Sequence, residues 1–181
     1  MNKKEIIGGI LVLFFITSIC GFLLGEVYKT TAPKIEKQKA LEEEKLNKEI
    51  FPEGVKFEKV KEGDTVYFIV YDKDGRKVGR IYQTKSLGYG GYIYIKVGID
   101  NNLKIKGVKI LQHNETPGLG AKITKSEFLN QFKNLDFKNL YLKKDNPQGK
   151  IDSITGATIS SRAVVDGVRK LIEKIKNEKT H

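Results

Sequence analysis

Cysteine is nearly missing from this sequence: Cys20 is the single one in 181 residues. Without a second thiol there is no intramolecular disulfide, no cysteine-ligated zinc and no iron–sulfur cluster. Histidine is almost as scarce, with two residues, His113 and the last residue His181, too few to suggest a transition-metal site. No catalytic triad stands out, and the glycine pattern matches neither a P-loop nor a dinucleotide fingerprint. Internal repeats and low-complexity tracts are lacking too. Any redox chemistry in this chain requires an organic cofactor, and neither a metal site nor a set of catalytic residues is predicted.

What is present suits one folded domain of ordinary size with some chain left for an anchor. The hydrophobic share of 39% is enough for a core, and a charged share of 30% is not that of a disordered tail. Lys and Arg total 33 against 22 acidic residues, a formal net charge of +11. Such an excess fits nucleic acid, an anionic membrane surface, an acidic partner or simply a lysine-rich soluble surface. The lysines are spread along the chain and form no basic stripe, so no nucleic-acid partner is expected.

From Ile6 to Leu24 the chain is uncharged and apolar. At ~1.5 Å per helical residue the run is long enough to span a hydrocarbon core of about 30 Å. Lys3 and Lys4 precede it; Glu26 and Lys29 follow. A cleaved signal peptide shares the basic flank, but the run is long for one and no small-x-small site follows. A lipoprotein signal at Cys20 is disfavoured by Ile19. Residues 1–29 are therefore predicted to be a retained transmembrane anchor. Lysines lie on both sides of the span, so charge counting alone does not orient it.

Pro33 marks an expected boundary, and residues 30–50 read as a charged helical stalk ahead of a domain at 51–181. The β-branched and aromatic run Val66–Tyr71 predicts a strand, closed by the turn Asp72-Lys73-Asp74-Gly75. Lys77–Thr84 returns, with Val78, Ile81 and Tyr82 as buried candidates. Tyr92–Ile99, the turn Asp100-Asn101-Asn102 and Leu103–Leu111 give a second hairpin. Ser126 is placed to cap a short helix carrying Phe128, Leu129 and Phe132. Val164, Val165, Val168, Leu171, Ile172 and Ile175 form the apolar stripe of a last helix. Strands followed by helices, without βαβ alternation, predict an α+β domain: a mainly antiparallel sheet flanked by helices, behind an N-terminal transmembrane helix.

The richest segment chemically is Asp152-Ser153-Ile154-Thr155-Gly156-Ala157-Thr158-Ile159-Ser160-Ser161. It is a short polar loop running into the last helix, with Ser160 and Ser161 both good N-cap types. A helix start carries unpaired N–H groups and partial positive charge, which favour a phosphate. Gly156 and Ala157 keep bulk away from that place, beside the Thr158 hydroxyl. Composition alone is equally met by an ordinary Ser/Thr-rich cap. In His113-Asn114-Glu115-Thr116-Pro117-Gly118-Leu119-Gly120, Pro117-Gly118 is a turn and Gly120 permits close backbone approach. Taken alone it reads as a surface turn.

The strings themselves carry more. Asp152-Ser153-Ile154-Thr155-Gly156-Ala157-Thr158 resembles the acceptor motif at which a flavin transferase attaches FMN. Glu115-Thr116-Pro117-Gly118-Leu119-Gly120 is similar to the flavin-side loop of the same proteins, and Gly88-Tyr89-Gly90-Gly91 to a glycine-rich stretch in them. With the anchor and total length, the order of these elements resembles the G-subunit family of the Rnf electron transport complex along essentially the whole chain. The C subunit of the sodium-pumping NADH:quinone oxidoreductase shares the motifs but is usually longer.

The resemblance implies FMN joined by a phosphoester to Thr158, with Asp152 read by the flavin transferase and Ser153, Thr155, Gly156 and Ala157 around the phosphate. It implies that Glu115, Thr116, Gly118, Leu119 and Gly120 are at the flavin. It further implies a single-pass protein of the inner (cytoplasmic) membrane with its domain on the outer face. The implied role is that of an electron relay between ferredoxin and NAD, coupled to Na⁺ or H⁺ movement. The partners would be the other complex subunits and the transferase, with little activity expected from the subunit alone. Two other classes compete: a cofactor-free tethered binding module using its basic face, and an isolated FMN reductase, for which Glu115 beside His113 is weak acid/base material.

Overall fold

The computed structural model describes residues 3–63 and 65–178; the expected outer limits of anchor and domain, at 1 and 181, lie outside the described residues. The chain divides into two compact units, Met1–Glu43 and Glu44–His181.

The described residues of the first unit are all helical. Helix α1 (Lys3–Ile50) carries the apolar run, and the window rich in Ile, Leu and Phe has a mean hydropathy of 2.6 with none of it buried against protein. This is one helix long and apolar enough to cross a membrane. The Thr17 hydroxyl, in the middle of the run, donates back to the Leu13 and Phe14 carbonyls at 2.9 and 3.0 Å, so it needs no water. Pro33, the residue expected to mark a boundary, lies inside α1. Proline costs about 3 kcal/mol in a helix interior. Here it is exposed, where water reaches the carbonyl its missing N–H leaves unpaired, and strong helix formers continue on its C-terminal side.

In the second unit, Glu44–Ile50 already belongs to the domain: Asn47 and Ile50 are both 1% exposed. In these last turns of α1 Asn47 and Ile50 pack into the domain, while Glu44, Lys45, Lys48 and Glu49 face solvent. Five strands follow as an antiparallel meander in the order β1 (Lys56–Glu62), β2 (Thr65–Tyr71), β3 (Lys77–Leu87), β4 (Tyr92–Asp100) and β5 (Ile105–Gln112). The two expected hairpins are β2–β3 and β4–β5, and β3 and β4 pair with each other as well.

Both turns are fixed by an aspartate. Asp72 Oδ1 accepts from the Asp74 and Arg76 amides, and Asp100 Oδ1 accepts from those of Asn102 and Lys104. The second turn takes Leu103 at φ 63°, so β5 starts at Ile105, later than the alternation predicted. The structure adds β1, which no sequence pattern had marked.

Strand alternation sorts the two faces of the sheet. Ile93, Ile95, Val97 and Ile99 of β4 point to one side, where they meet Val164, Val165, Val168, Leu171, Ile172 and Ile175 of helix α3 (Thr158–Glu178), with Phe128 and Phe132 beside them. At Gly167 the helix passes so near the sheet that a Cβ would sit 2.9 Å from Ser86 Cβ. The opposite side is covered by Ile50 and Phe51, packed with Phe68, Val70 and Ile81. Gly79, Gly98 and Gly107 open a groove there: side chains at these positions would meet Phe51 or Ile50 at 2.6 Å. Lys109–Glu49 and Lys106–Glu53 ion pairs, at 2.7 and 3.1 Å, hold the same segment to β5.

Between β5 and α3 lie a 3₁₀ turn (Gly120–Thr124), helix α2 (Ser126–Leu129) and two more short 3₁₀ turns. Ser126 does not cap α2; Lys125 is the N-cap residue and no side chain bonds there. A four-residue helix is held by the burial of Phe128 and Leu129, not by its cap.

Candidate functional site

Three segments converge at one end of the sheet. The β3–β4 connection brings Tyr89; the chain after β5 brings Glu115, Thr116, Leu119 and Gly120; the start of α3 brings Gly156, Ala157, Thr158, Ile159 and Ser160. Together they line a cleft of about 620 Å³, within the usual range for a small-molecule or cofactor site.

Glu115 holds the three together. Its side chain is 4% exposed. One carboxylate oxygen accepts from the Gly90 N–H at 3.1 Å, and the other accepts from the Ser160 hydroxyl. Its own N–H donates to His113 Nδ1 at 3.2 Å. Glycine is required on both sides of this carboxylate: a Cβ at Gly88 would collide with Oε1, and one at Gly120 would lie 2.8 Å from Oε2. A buried carboxylate needs such partners. Its role in the fold is to rivet the cleft walls.

Ile154-Thr155-Gly156-Ala157 forms the turn into α3. The Ala157 N–H donates to the Ile154 carbonyl at 3.0 Å, with Gly156 at φ 76° as a type II turn demands at its third residue. Thr158 is then the first helical residue, which moves the helix start ahead of the expected caps. Ser160 and Ser161 are buried inside the first turn instead. Ser161 Oγ accepts from the Ile154 N–H and donates to the Ala157 carbonyl. The Ser161 N–H is also taken by Ala157. The N–H groups of Thr158, Ile159 and Ser160 have no acceptor among the described residues, as expected for the first turn of a helix.

Of the expected residues, Glu115, Thr116, Leu119, Gly120, Gly156, Ala157 and Thr158 are brought together in the cleft. Gly118, at φ 76°, shapes the Thr116–Leu119 turn without lining it. Ser153 and Thr155 stand outside the lining as well. Asp152 faces solvent with its side chain 65% exposed, paired with Lys143 at 2.6 Å, while its N–H donates to Gln131 Oε1 at 2.7 Å.

The sequence reading missed Ile159, 53% exposed at the cleft, whose signal was an apolar residue in an otherwise polar string. It also missed the loop 142–149, for which composition offers no signal. That loop is pinned by a parallel bridge between Leu142 and Ile151 and by a bidentate pair, Asp145 with Arg162 of α3, at 2.7 and 2.8 Å. It lays the Lys144 ammonium on the Thr158 hydroxyl.

The hydrogen bonds from Arg162 hold the Asp145 carboxyl below its ordinary value of 3.8. A lowered folded pKa means the pair contributes fully above that value and is lost as pH falls through the depressed one. At neutral pH the tether is intact. Asp145→Asn is expected to remove it and to raise amide hydrogen exchange across 142–149 severalfold at pH 7, leaving β2–β5 protected.

The family model described as FMN-binding domain matches residues 88–173, from the glycine loop through most of α3. The class is therefore that of FMN-binding-domain proteins, and the matched span contains the whole cleft. The G subunit of an ion-translocating oxidoreductase complex from Methanosarcina acetivorans is 33% identical, with 96% of each chain covered. The corresponding G subunit of the proton-translocating ferredoxin:NAD(+) oxidoreductase complex of Clostridium ljungdahlii is 32% identical over 87% of this chain and 84% of its own. The chain belongs to this family, the G subunits of ion-translocating (Rnf) oxidoreductase complexes. Its fold is also that of NqrC from Shewanella oneidensis, with a TM-score of 0.52 at 22% identity, covering 68% of this chain and 67% of the other.

Proposed function

We propose that this chain is the FMN-carrying electron relay of a membrane ferredoxin:NAD oxidoreductase complex of the Rnf type, with the flavin joined by a phosphoester to Thr158. The observation that carries the proposal is the position of that hydroxyl: first residue of α3, facing a ligand-sized cleft, beside three N–H groups without acceptors among the described residues.

The donor set fits a phosphate. Free first-turn N–H groups and the helix dipole favour an anion, and Lys144 adds a full positive charge. Gly156 and Gly120 let the backbone pass close to Leu119 and to the Glu115–Ser160 pair, where a Cβ would lie 3.2 Å from Leu119 Cδ2 and 2.7 Å from Ser160 Oγ. Leu119, Ile159 and the Tyr89 ring offer apolar surface for a planar ring system. Bound FMN supplies one- and two-electron chemistry; the protein positions it and sets its surroundings. Ser153, Thr155 and Gly118 contribute through the backbone turns that present Thr158 and Leu119. Asp152, exposed, is where a flavin transferase would read the acceptor loop.

The apolar part of α1 would anchor the chain in the inner membrane, with residues 1–29 as the span and the domain on the outer face. Its partners are the other subunits of the complex, and its maturation needs the transferase. A tethered module without cofactor is the alternative that the same experiment excludes. The full chain co-expressed with a flavin transferase should run on a denaturing gel as a yellow-fluorescent band, and a colourless band would refute the carrier role.

A further inference from the structure

We infer that Lys144 is the charge partner of the acceptor oxygen: its ammonium, held against Thr158 Oγ1, stabilises the negative charge that builds up as the flavin phosphate is transferred there. The inference rests on Thr158 being the acceptor.

Neighbouring groups leave the Thr158 hydroxyl as the one hydrogen-bond partner of this ammonium among the described residues. Lys143, one residue earlier, is paired with Asp152. Asp145, one residue later, gives both carboxylate oxygens to Arg162. Among the described residues Lys144 forms no salt bridge; its charge helps Arg162 hold the Asp145 carboxyl down, and its hydrogen bond goes to the Thr158 hydroxyl. An exposed lysine on a hydroxyl adds little to stability. Three ties hold the loop that carries it: the Leu142–Ile151 bridge, the Asp145–Arg162 pair and the Lys143–Asp152 pair. That is more order than a solvated surface lysine needs, and it places a point charge at the helix start before any ligand arrives.

The transfer balances without oxidation or reduction. Flavin adenine dinucleotide is the donor. Thr158 Oγ1 bonds to the phosphorus on the flavin side of the pyrophosphate, and the bridging P–O bond breaks. AMP leaves with that electron pair, and the hydroxyl proton passes to a base on the transferase. The product is a phosphodiester carrying one negative charge next to Lys144. Lysine is a compact charge suited to such oxygens, and a preorganised charge acts where the transition state is most negative.

Lys144→Met keeps most of the length of the side chain and removes its charge; Lys144→Arg keeps the charge. Full-length chains in detergent, supplied with flavin adenine dinucleotide and a flavin transferase, would be followed by intact mass over time at several carrier concentrations. Lys144→Met should lower kcat for the carrier about tenfold or more with KM unchanged and the melting temperature unmoved. Lys144→Arg should recover most of the rate. Wild-type kcat in the methionine variant overturns the inference, as does an arginine variant equally slow. A change confined to KM also overturns it, since that marks a docking contact with the transferase. If the wild-type chain itself gains no mass, the acceptor reading has failed and takes this inference with it.

Discussion

Gly120→Val is expected to cut flavin attachment roughly 100-fold while the sheet stays folded, because misplacing a reacting group by about 1 Å costs that much. A Cβ at this position would lie 2.7 Å from Ser160 Oγ, 2.8 Å from Glu115 Oε2 and 2.9 Å from Glu115 Cβ. None of these distances is tolerated, so Ser160 and Glu115 must part. The carboxylate then loses its hydroxyl donor while still buried, which costs about 1–3 kcal/mol. Overpacking adds about 1–3 kcal/mol more. The first turn of α3, which carries Thr158, moves with Ser160. The check is the flavinylated fraction by intact mass at fixed time, beside a thermal melt. A variant modified at the wild-type rate would show that the Glu115–Ser160 link does not set the cleft.

Phe51→Ala is expected to be the most destabilising single change in the domain, by about 3–5 kcal/mol. The ring is completely buried in the smaller of the two cores, over Gly79 and beside Gly98. Those glycines exist to admit it. Once the ring is gone, they offer no side chains to refill the space, so the cavity term applies in full. A urea titration of the full-length protein in detergent should show the midpoint falling with little change in slope. Flavin attachment under native conditions should persist, since the cleft is built from other segments. A loss under about 1 kcal/mol would mean that residues 44–51 are not an integral layer of the domain.

How far these features could be read from the chain depended on whether their cause was local. β2 to β5 and the α3 stripe announce themselves because burial on one face writes a period into the sequence. β1 does not. Its residues Lys56–Glu62 form an edge strand with most positions solvent-facing, and charged edge strands lack the apolar alternation that marks a strand. Phe51 gives no local sign of its partners, because the glycines that receive it and its neighbour Ile50 lie on β3, β4 and β5.

The same holds at the site. Thr158, Gly156 and the Glu115–Gly120 string were legible as segments, and their convergence is what the fold adds. The riveting role of Glu115 was not legible, since its partners Gly90 and Ser160 are 25 and 45 residues away. Ser160 and Ser161 read as caps by residue type, which does not say that both hydroxyls point inward. Lys144 is one of many lysines, and only the pinned loop distinguishes it.

The carrier role stands or falls on one oxygen atom. The most direct measurement is peptide-level mass spectrometry of the full-length protein purified after co-expression with a flavin transferase. The peptide containing Thr158 is predicted to carry the added mass of FMN less water, and Thr158→Ala to leave every peptide unmodified. An FMN adduct found on any other residue, or surviving the Thr158→Ala substitution, would contradict it.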